Sequence, residues 1–338
     1  DVYKRQGEGY MLPVSILDQT PITKNQTSQE ALKQTIELAQ LADQLGYTRY
    51  LVAEHHNLKD VIGTSPEILT MHLLNQTKNL RIGSGGVMLQ HYHPLKIIEQ
   101  FHLMDELSNH RVDLAVGKAP GGYPKVTEIL KEELKEHYFS FDEKFEILNR
   151  LNTQNFDNTS KYAGLKTAKR QSETSSVPVY LLGTSLNSVI QAAEAKVGVI
   201  YAFFINAEQE ALEEALEAYK SRFPEGRFIV SIPAMVTAVG DNQLPFRFSQ
   251  RHFELISKDG RRTVLNTKAQ VDDYLSQTDE TFEVTEKRMH IISGNKEEVQ
   301  SKLGEINRKH MIDEWMLHMP IPNHKLRMNT VRQLAPAN

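Results

Sequence analysis

Val14-Ser-Ile-Leu17, then Ser28-Gln-Glu-Ala-Leu-Lys-Gln-Thr-Ile-Glu-Leu-Ala-Gln-Leu-Ala42, then Gly46, then Tyr50-Leu-Val-Ala53: a short apolar run, an amphipathic stretch and a second apolar run follow one another. Leu32, Ile36, Leu38, Ala39 and Leu41 mark one face of a 3.6-residue period behind Ser28 as N-cap, and Gly46 closes the helix. The flanking runs are short and almost continuously apolar, with β-branched residues in each, as strands buried on both faces are. The same alternation continues to the end of the chain. Further strands are expected at 80–84, 112–116, 179–182, 199–204, 228–236 and 314–317, and helices at 66–75, 94–107, 126–136, 141–151, 186–195, 208–221, 267–277, 296–309 and 324–334. Eight strands, each followed by at least one helix, predict an α/β fold of the closed (β/α)8 TIM barrel type, because an open sheet of that size would show a break in strand order.

Two stretches exceed one βα period and predict insertions after strands 4 and 7. Residues 152–176 are polar and aperiodic, the composition of a long surface loop; residues 241–286 mix a polar loop with the helix at 267–277. Loops that follow strands lie at the mouth of a barrel, so the second insertion is a candidate lid. Residues 11–338 read as one barrel domain. Residues 1–10 are polar and precede Met11, the pattern of a tag, a fusion remnant or a misassigned start.

The composition narrows the functional class. Of 338 residues, 40% are apolar and 24% charged, enough for a sizeable core. The net charge of −4 comes without a basic run, so neither nucleic acid nor an anionic membrane is an expected partner, and small molecules or proteins are. Cysteine is absent, which excludes disulfides, Cys-ligated zinc, iron–sulfur clusters and thiol nucleophiles and fits a cytoplasmic protein. The longest apolar run, 197–205, is far short of the roughly 20 residues that span a bilayer.

Four stretches carry candidate chemistry. Ala53-Glu54-His55-His56-Asn57 ends the second strand, where barrel enzymes place working groups. With His91 and His93 it offers metal-ligand chemistry, but adjacent histidines point to opposite faces of a strand, so at most one of His55 and His56 faces the axis. The other readings are an imidazole that exchanges or hydrogen-bonds a proton near a cofactor, or a polar strand end in which Glu54 and one histidine satisfy backbone groups. Arg81-Ile82-Gly83-Ser84-Gly85-Gly86-Val87-Met88-Leu89 ends in small residues, a bulge or a place where a flat ligand meets bare backbone; it lacks the spacing of a dinucleotide fingerprint. Val116-Gly117-Lys118 after the fourth strand and Gly183-Thr184-Ser185 opening a helix after the fifth offer a cation, hydroxyls and free N–H groups, a seat for phosphate or simply a helix cap.

In this order, and with the opening Leu17-Asp18-Gln19-Thr20-Pro21-Ile22, Arg111-Val112-Asp113-Leu114-Ala115-Val116-Gly117 and Pro178-Val179-Tyr180-Leu181-Leu182-Gly183-Thr184-Ser185, the chain resembles the bacterial luciferase-like flavin-dependent monooxygenases from about Leu12 onward. The resemblance implies a (β/α)8 barrel that binds reduced FMN as a cosubstrate, supplied by a separate NAD(P)H:flavin reductase. It implies that O2 reacts there to a flavin peroxide that oxidises a small organic substrate. It implies His55 as the histidine implicated in chemistry, Ala53 and Glu54 beside it, a non-proline cis peptide at Gly85-Gly86 under the flavin ring, and a phosphate site at Lys118, Gly183, Thr184, Ser185 and Ser188. No metal is implied. Lys118 stands where the family pattern looks like arginine, and Thr184 where it looks acidic; Pro322-Asn323-His324-Lys325-Leu326-Arg327 matches a family segment with Asn323 in place of Asp. Pairing of such barrels through helices flanking the early strands makes a homodimer an expectation. A flavin-binding barrel without turnover and a deazaflavin-dependent oxidoreductase are the alternative functions; metal-dependent hydrolysis through Glu54, His55, His91 and His93 is a third.

Overall fold

The computed structural model describes residues 12–132, 139–169, 176–205, 207–237, 249–258 and 262–336. Residues 1–10, Met11 and parts of the 126–136, 152–176 and 241–286 windows lie outside the described residues. Eight parallel strands form the barrel: β1 (Val14–Asp18), β2 (Arg49–Val52), β3 (Arg81–Met88), β4 (Val112–Gly117), β5 (Val179–Gly183), β6 (Gly198–Ala202), β7 (Phe228–Val236) and, after a four-strand excursion, β12 (Glu314–His318). The order runs β7-β12-β1-β2-β3-β4-β5-β6, and β6 pairs with β7, so the ring is closed. The excursion comprises β8 (Ser249–Ser257), β9 (Arg262–Leu265), β10 (Phe282–His290) and β11 (Ile292–Gly294).

The helices are α1 (Ser28–Gln44), α2 (Pro66–Gln76), α3 (Pro94–Leu107), α4 (Pro124–Lys131), α5 (Phe141–Thr153), α6 (Leu186–Glu194), α7 (Gln209–Arg222), α8 (Lys268–Leu275), α9 (Lys296–His310) and α10 (His324–Gln333). Their starts are written locally. Pro occupies the first turn of α2, α3 and α4, where its missing N–H costs nothing. Capping boxes open α1, α5, α8 and α9. The cap of α1 is Thr27 rather than Ser28: the Thr27 hydroxyl accepts from Glu30 N–H, and the Glu30 carboxylate accepts from Thr27 N–H.

Strand alternation sorts the core into two layers. One lies between barrel and helices and includes Ile16, Tyr50, Val52, Ile82 and Trp315. The other fills the barrel with Leu17, Leu51, Ala115, Tyr180, Ile200, Ile229 and Met316. Below the inner layer, at the N-terminal end, the fill is ionic. Arg49 donates to Glu314 (2.8 Å), to Asp113 (2.7 Å) and to the Tyr180 hydroxyl (2.8 Å); Arg81 joins at Asp113 and Arg227 at Glu314.

The second insertion departs most from expectation. Beyond α8, whose cap is Thr267, it contains an antiparallel sheet in the order β10-β8-β9 that the polar sequence did not announce. Leu255, Leu265, Val271 and Tyr274 of this unit pack on Tyr123, and Leu58 flanks them. Asn266 Nδ2 donates to Asp60 (3.0 Å). Leu58 and Asp60 follow β2, and Tyr123 follows β4, whereas the insertion leaves from β7. It therefore crosses the mouth and lands on either side of β3.

Candidate functional site

The loops at the mouth are laced together first by backbone. Ala53 N–H donates to Asp18 O (3.0 Å), His55 N–H to Gly63 O (2.7 Å) and His56 N–H to Gly121 O (2.7 Å). Glu54, 1% exposed, turns its carboxylate outward, where it accepts from Met88 N–H (2.9 Å), the Tyr92 hydroxyl (2.5 Å) and His56 Nε2 (2.7 Å). Glu54 thus brackets the ends of β2 and β3, and its oxygens are spent on protein partners. His56 lies on that outer side, edge-on to His91 at 5.8 Å, and His91 Nε2 is 2.7 Å from Pro120 O. His93 caps α3 by accepting from Leu95 N–H. Glu54, His91 and His93 of the metal reading are thus engaged in separate structural contacts. Among the described residues the carboxylates and imidazole of Asp105, Glu106 and His110 do cluster, but Lys169 Nζ already sits 2.6 Å from Asp105.

His55 takes the opposite side, as the alternation of adjacent residues requires. Its Nδ1 is buried and has no hydrogen-bond partner among the described residues. Burial pushes the imidazole down to about 4; the carboxylates of Asp60 and Glu54 oppose this and His56 reinforces it. His55 is therefore a neutral group at pH 7, able to donate with one ring nitrogen and accept with the other.

Beside it β3 ends in bare backbone. The Gly85-Gly86 peptide is cis, and the β3–β4 register shifts between Gly85 and Val87. A Cβ on Gly85 would lie 2.5 Å from Leu17 Cδ1 and 2.8 Å from Leu51 Cβ; one on Gly86 would lie 2.7 Å from Ala115 O. Ala53 and Gly117 continue the small-residue floor on the neighbouring strands.

The other expected residues gather one to two strands further round. Gly117, the last residue of β4, pairs with Leu182, so Lys118 leaves β4 at the level where Gly183 ends β5. Ser185 is the N-cap of α6: its Oγ accepts from Ser188 N–H and lies 2.8 Å from Ser188 Oγ. Thr184 precedes it, half-buried. The Lys118 ammonium is only loosely held, 4.0 Å from Asp142 and 5.9 Å from the Phe141 ring centre. Two hydroxyls stand at the positive end of α6, and Lys118 leaves the neighbouring strand on the same rim of the mouth.

Sequence reasoning missed the far wall. His318, the last residue of β12, is 6% exposed and lies against Phe204, with ring centres 4.5 Å apart. It also missed the pair beneath: Arg327 donates to Asp18 Oδ1 (2.6 Å), whose other oxygen accepts from the Tyr50 hydroxyl. The signal for His318 was present in the alternation Glu314, Met316, His318, which continues one residue past the expected strand end at 317.

The sequence model of the luciferase-like monooxygenases matches residues 12–254. N-acetyl-S-alkylcysteine monooxygenase of Bacillus subtilis (strain 168) is 36% identical over 316 residues, which cover 93% of this chain and 94% of that protein. Among solved structures, apo-MsnO8 aligns with a TM-score of 0.72 at 25% identity over 97% of this chain and 98% of that one. The oxygenating constituent of 3,6-diketocamphane monooxygenase from Pseudomonas putida, solved in complex with FMN, aligns with a TM-score of 0.66 at 14% identity over 96% and 97%. An F420-dependent secondary alcohol dehydrogenase shares the fold as well, with a TM-score of 0.60 at 13% identity over 96% and 98%. No helix among the described residues is long and apolar enough to cross a membrane.

Proposed function

This chain belongs to the luciferase-like monooxygenases, and from that membership we propose that it oxygenates a small thioether acid of the N-acetyl-S-alkylcysteine class with reduced FMN and O2. The observation that carries the flavin reading is the neutral His55, its Nδ1 without a partner among the described residues, beside the bare Gly85-Gly86 backbone and beneath a cover that crosses the mouth. The residues fit the cofactor. A planar ring needs backbone free of side chains, which Gly85, Gly86, Ala53 and Gly117 supply, and its phosphate needs the donors of Lys118, Ser185 and Ser188 at the N-terminus of α6, with Gly183 and Thr184 as the turn that leads there. When bound, reduced FMN supplies two electrons and two protons, so that one atom of O2 enters the substrate and the other leaves as water.

The protein's share is positioning and exclusion. His55 holds a hydrogen bond at the reacting centre, and Glu54 fixes the strand ends that aim it. The β8–β10 sheet with α8 keeps water from the centre. The 36% relative favours oxygenation over deazaflavin chemistry. Reduced flavin would come from a separate cytoplasmic NAD(P)H:flavin reductase, since the glycine-rich strand lacks a dinucleotide fingerprint. Ile68 on α2 and Leu103 and Leu107 on α3 are more than half exposed, which supports a homodimer through these helices, checked by molecular mass in solution.

The test is an anaerobic titration with reduced FMN followed by mixing with O2 and N-acetyl-S-methylcysteine. Saturable FMN binding with an oxygenated thioether supports the reading; binding of a deazaflavin alone, or FMN oxidation with no oxygenated product, refutes it. Lys118→Ala is expected to raise the FMN dissociation constant about fivefold and leave riboflavin binding unchanged, the effect of losing one exposed phosphate contact of about 1 kcal/mol. Tyr274→Ala empties part of the cluster that docks the cover on Tyr123. It is expected to raise the hydrogen peroxide released per flavin oxidised two- to threefold (order of magnitude) by admitting water.

A further inference from the structure

β6 and β12 are not neighbours; β7 lies between them. Phe204, two residues past β6, can meet the imidazole of His318 at the end of β12 only across the inner face of β7, inside the barrel mouth. The register agrees: His318 pairs with Leu17, and Leu17 is the inner-layer residue whose Cδ1 approaches Gly85. His318 therefore stands one strand spacing, about 4.8 Å, along the wall from the side chain that backs the glycine floor.

Two buried polar atoms on this wall have no hydrogen-bond partner among the described residues, His318 Nδ1 and, one layer lower on β7, Ser231 Oγ. Ser231 is 0% exposed and pairs with Met316, whose side chain fills the barrel. Buried polar atoms are almost always paired in folded proteins, so an unpaired set on one wall of a mouth marks a place that an occupant completes. The opposite wall, with Ala53, Gly85 and Gly117, has room for a flat ring, and the donor the described residues offer there is His55, which is assigned to the reacting centre.

We propose that His318, oriented by Phe204, is a substrate-positioning residue whose imidazole donates a hydrogen bond to an amide or carboxylate oxygen of the thioether acid, on the wall facing Gly85-Gly86. The inference rests on the flavin-monooxygenase reading. An imidazole packed on an aromatic ring keeps one rotamer, so the donor is fixed before the substrate arrives. Burial holds His318 neutral, so it can offer an N–H without placing a cation beside the flavin site.

The test compares His318→Ala and His318→Gln with the wild type, each confirmed as folded by its melting curve. KM for N-acetyl-S-methylcysteine, kcat, oxygenated product per flavin oxidised and FMN affinity are measured. His318→Ala is expected to raise KM about tenfold and lower product per flavin, with FMN affinity within about twofold of the wild type; His318→Gln, which keeps a donor, recovers most of the loss. Equal KM and coupling in His318→Ala, or no rescue by glutamine, overturns the positioning role alone. A wild type that binds FMN but neither binds nor oxidises the thioether overturns the ligand class and the seat with it. A wild type that binds no FMN overturns the underlying flavin reading.

Discussion

Replacing Glu314 with alanine is expected to destabilise the protein by about 3–5 kcal/mol and to lower its melting temperature by roughly 4–7 °C. Glu314 is fully buried and accepts from Arg49 Nε (2.8 Å) and Nη2 (3.2 Å), from Arg227 Nε (2.7 Å) and from the Ser15 hydroxyl. Without it, Arg49 at 3% exposure keeps the Asp113 carboxylate and the neutral Tyr180 hydroxyl, and Asp113 is already shared with Arg81 at 2.7 Å. The loss is that of an uncompensated buried cation rather than of one ion pair, because taking a guanidinium out of water is costly unless its field is matched. The measurement is urea or thermal unfolding at neutral pH. A loss below about 1 kcal/mol, the range of surface pairs, would show that the closed end is hydrated and the network loosely held.

That network also shows where sequence reading stops. The eight strands were legible because strands buried on both faces are almost continuously apolar, and the helices because their faces repeat with the helical period. The ionic plug was not legible. Arg49, Arg81, Asp113, Arg227 and Glu314 lie at strand starts, where a charged residue looks like the polar edge of a strand, and only closure of the ring brings them together. The sheet across the mouth was hidden for a related reason. Glu254 on β8 is 1% exposed, yet it pairs with Arg262 on β9 (2.8 Å) and Lys287 on β10 (2.5 Å), so charge that reads as a solvated loop is buried by cross-strand partners. Single positions fared by the same rule. The small residues of β3 stand out in any sequence, while His318 is marked only by its place two residues beyond Met316 on an inward-facing row.

The two ends of the barrel divide the work. At the N-terminal end, side chains from six strands and the residue before β7 are held in one network of ion pairs and hydrogen bonds. At the other end, glycine and alanine leave space, and polar atoms of His55, His318 and Ser231 have no hydrogen-bond partner among the described residues. Unpaired polar atoms that face one open mouth are completed when a ligand occupies it.

His55→Ala is expected to lower oxygenation turnover about 100-fold, the loss typical of one preorganised hydrogen bond at a reacting centre, with FMN affinity little changed. The pH dependence separates this role from that of an ordinary histidine. Burial pushes His55 down to about 4 against the carboxylates of Asp60 and Glu54, with His56 adding to the depression; His318 is likewise held at about 4 by burial, with Arg327 and His55 adding and Asp18 opposing. Wild-type turnover per folded molecule is therefore expected to stay level from about pH 8 down to about pH 6 and to fall only as His55 takes up its proton near 4. Stability follows the same two groups with a definite sign. In the unfolded chain histidine titrates near 6.5, so between about 6.5 and 4 the unfolded state binds more protons. The contribution of each neutral, buried imidazole is complete above 6.5 and lost as pH falls towards 4, on the order of 2 kcal/mol each by about pH 5. Urea midpoints at pH 7 and pH 5, read by circular dichroism beside turnover, check both parts. An acid limb in wild-type turnover centred near 6.5 that disappears in His55→Ala would mean that His55 is solvated and works as a cation, and the neutral-donor role would be withdrawn.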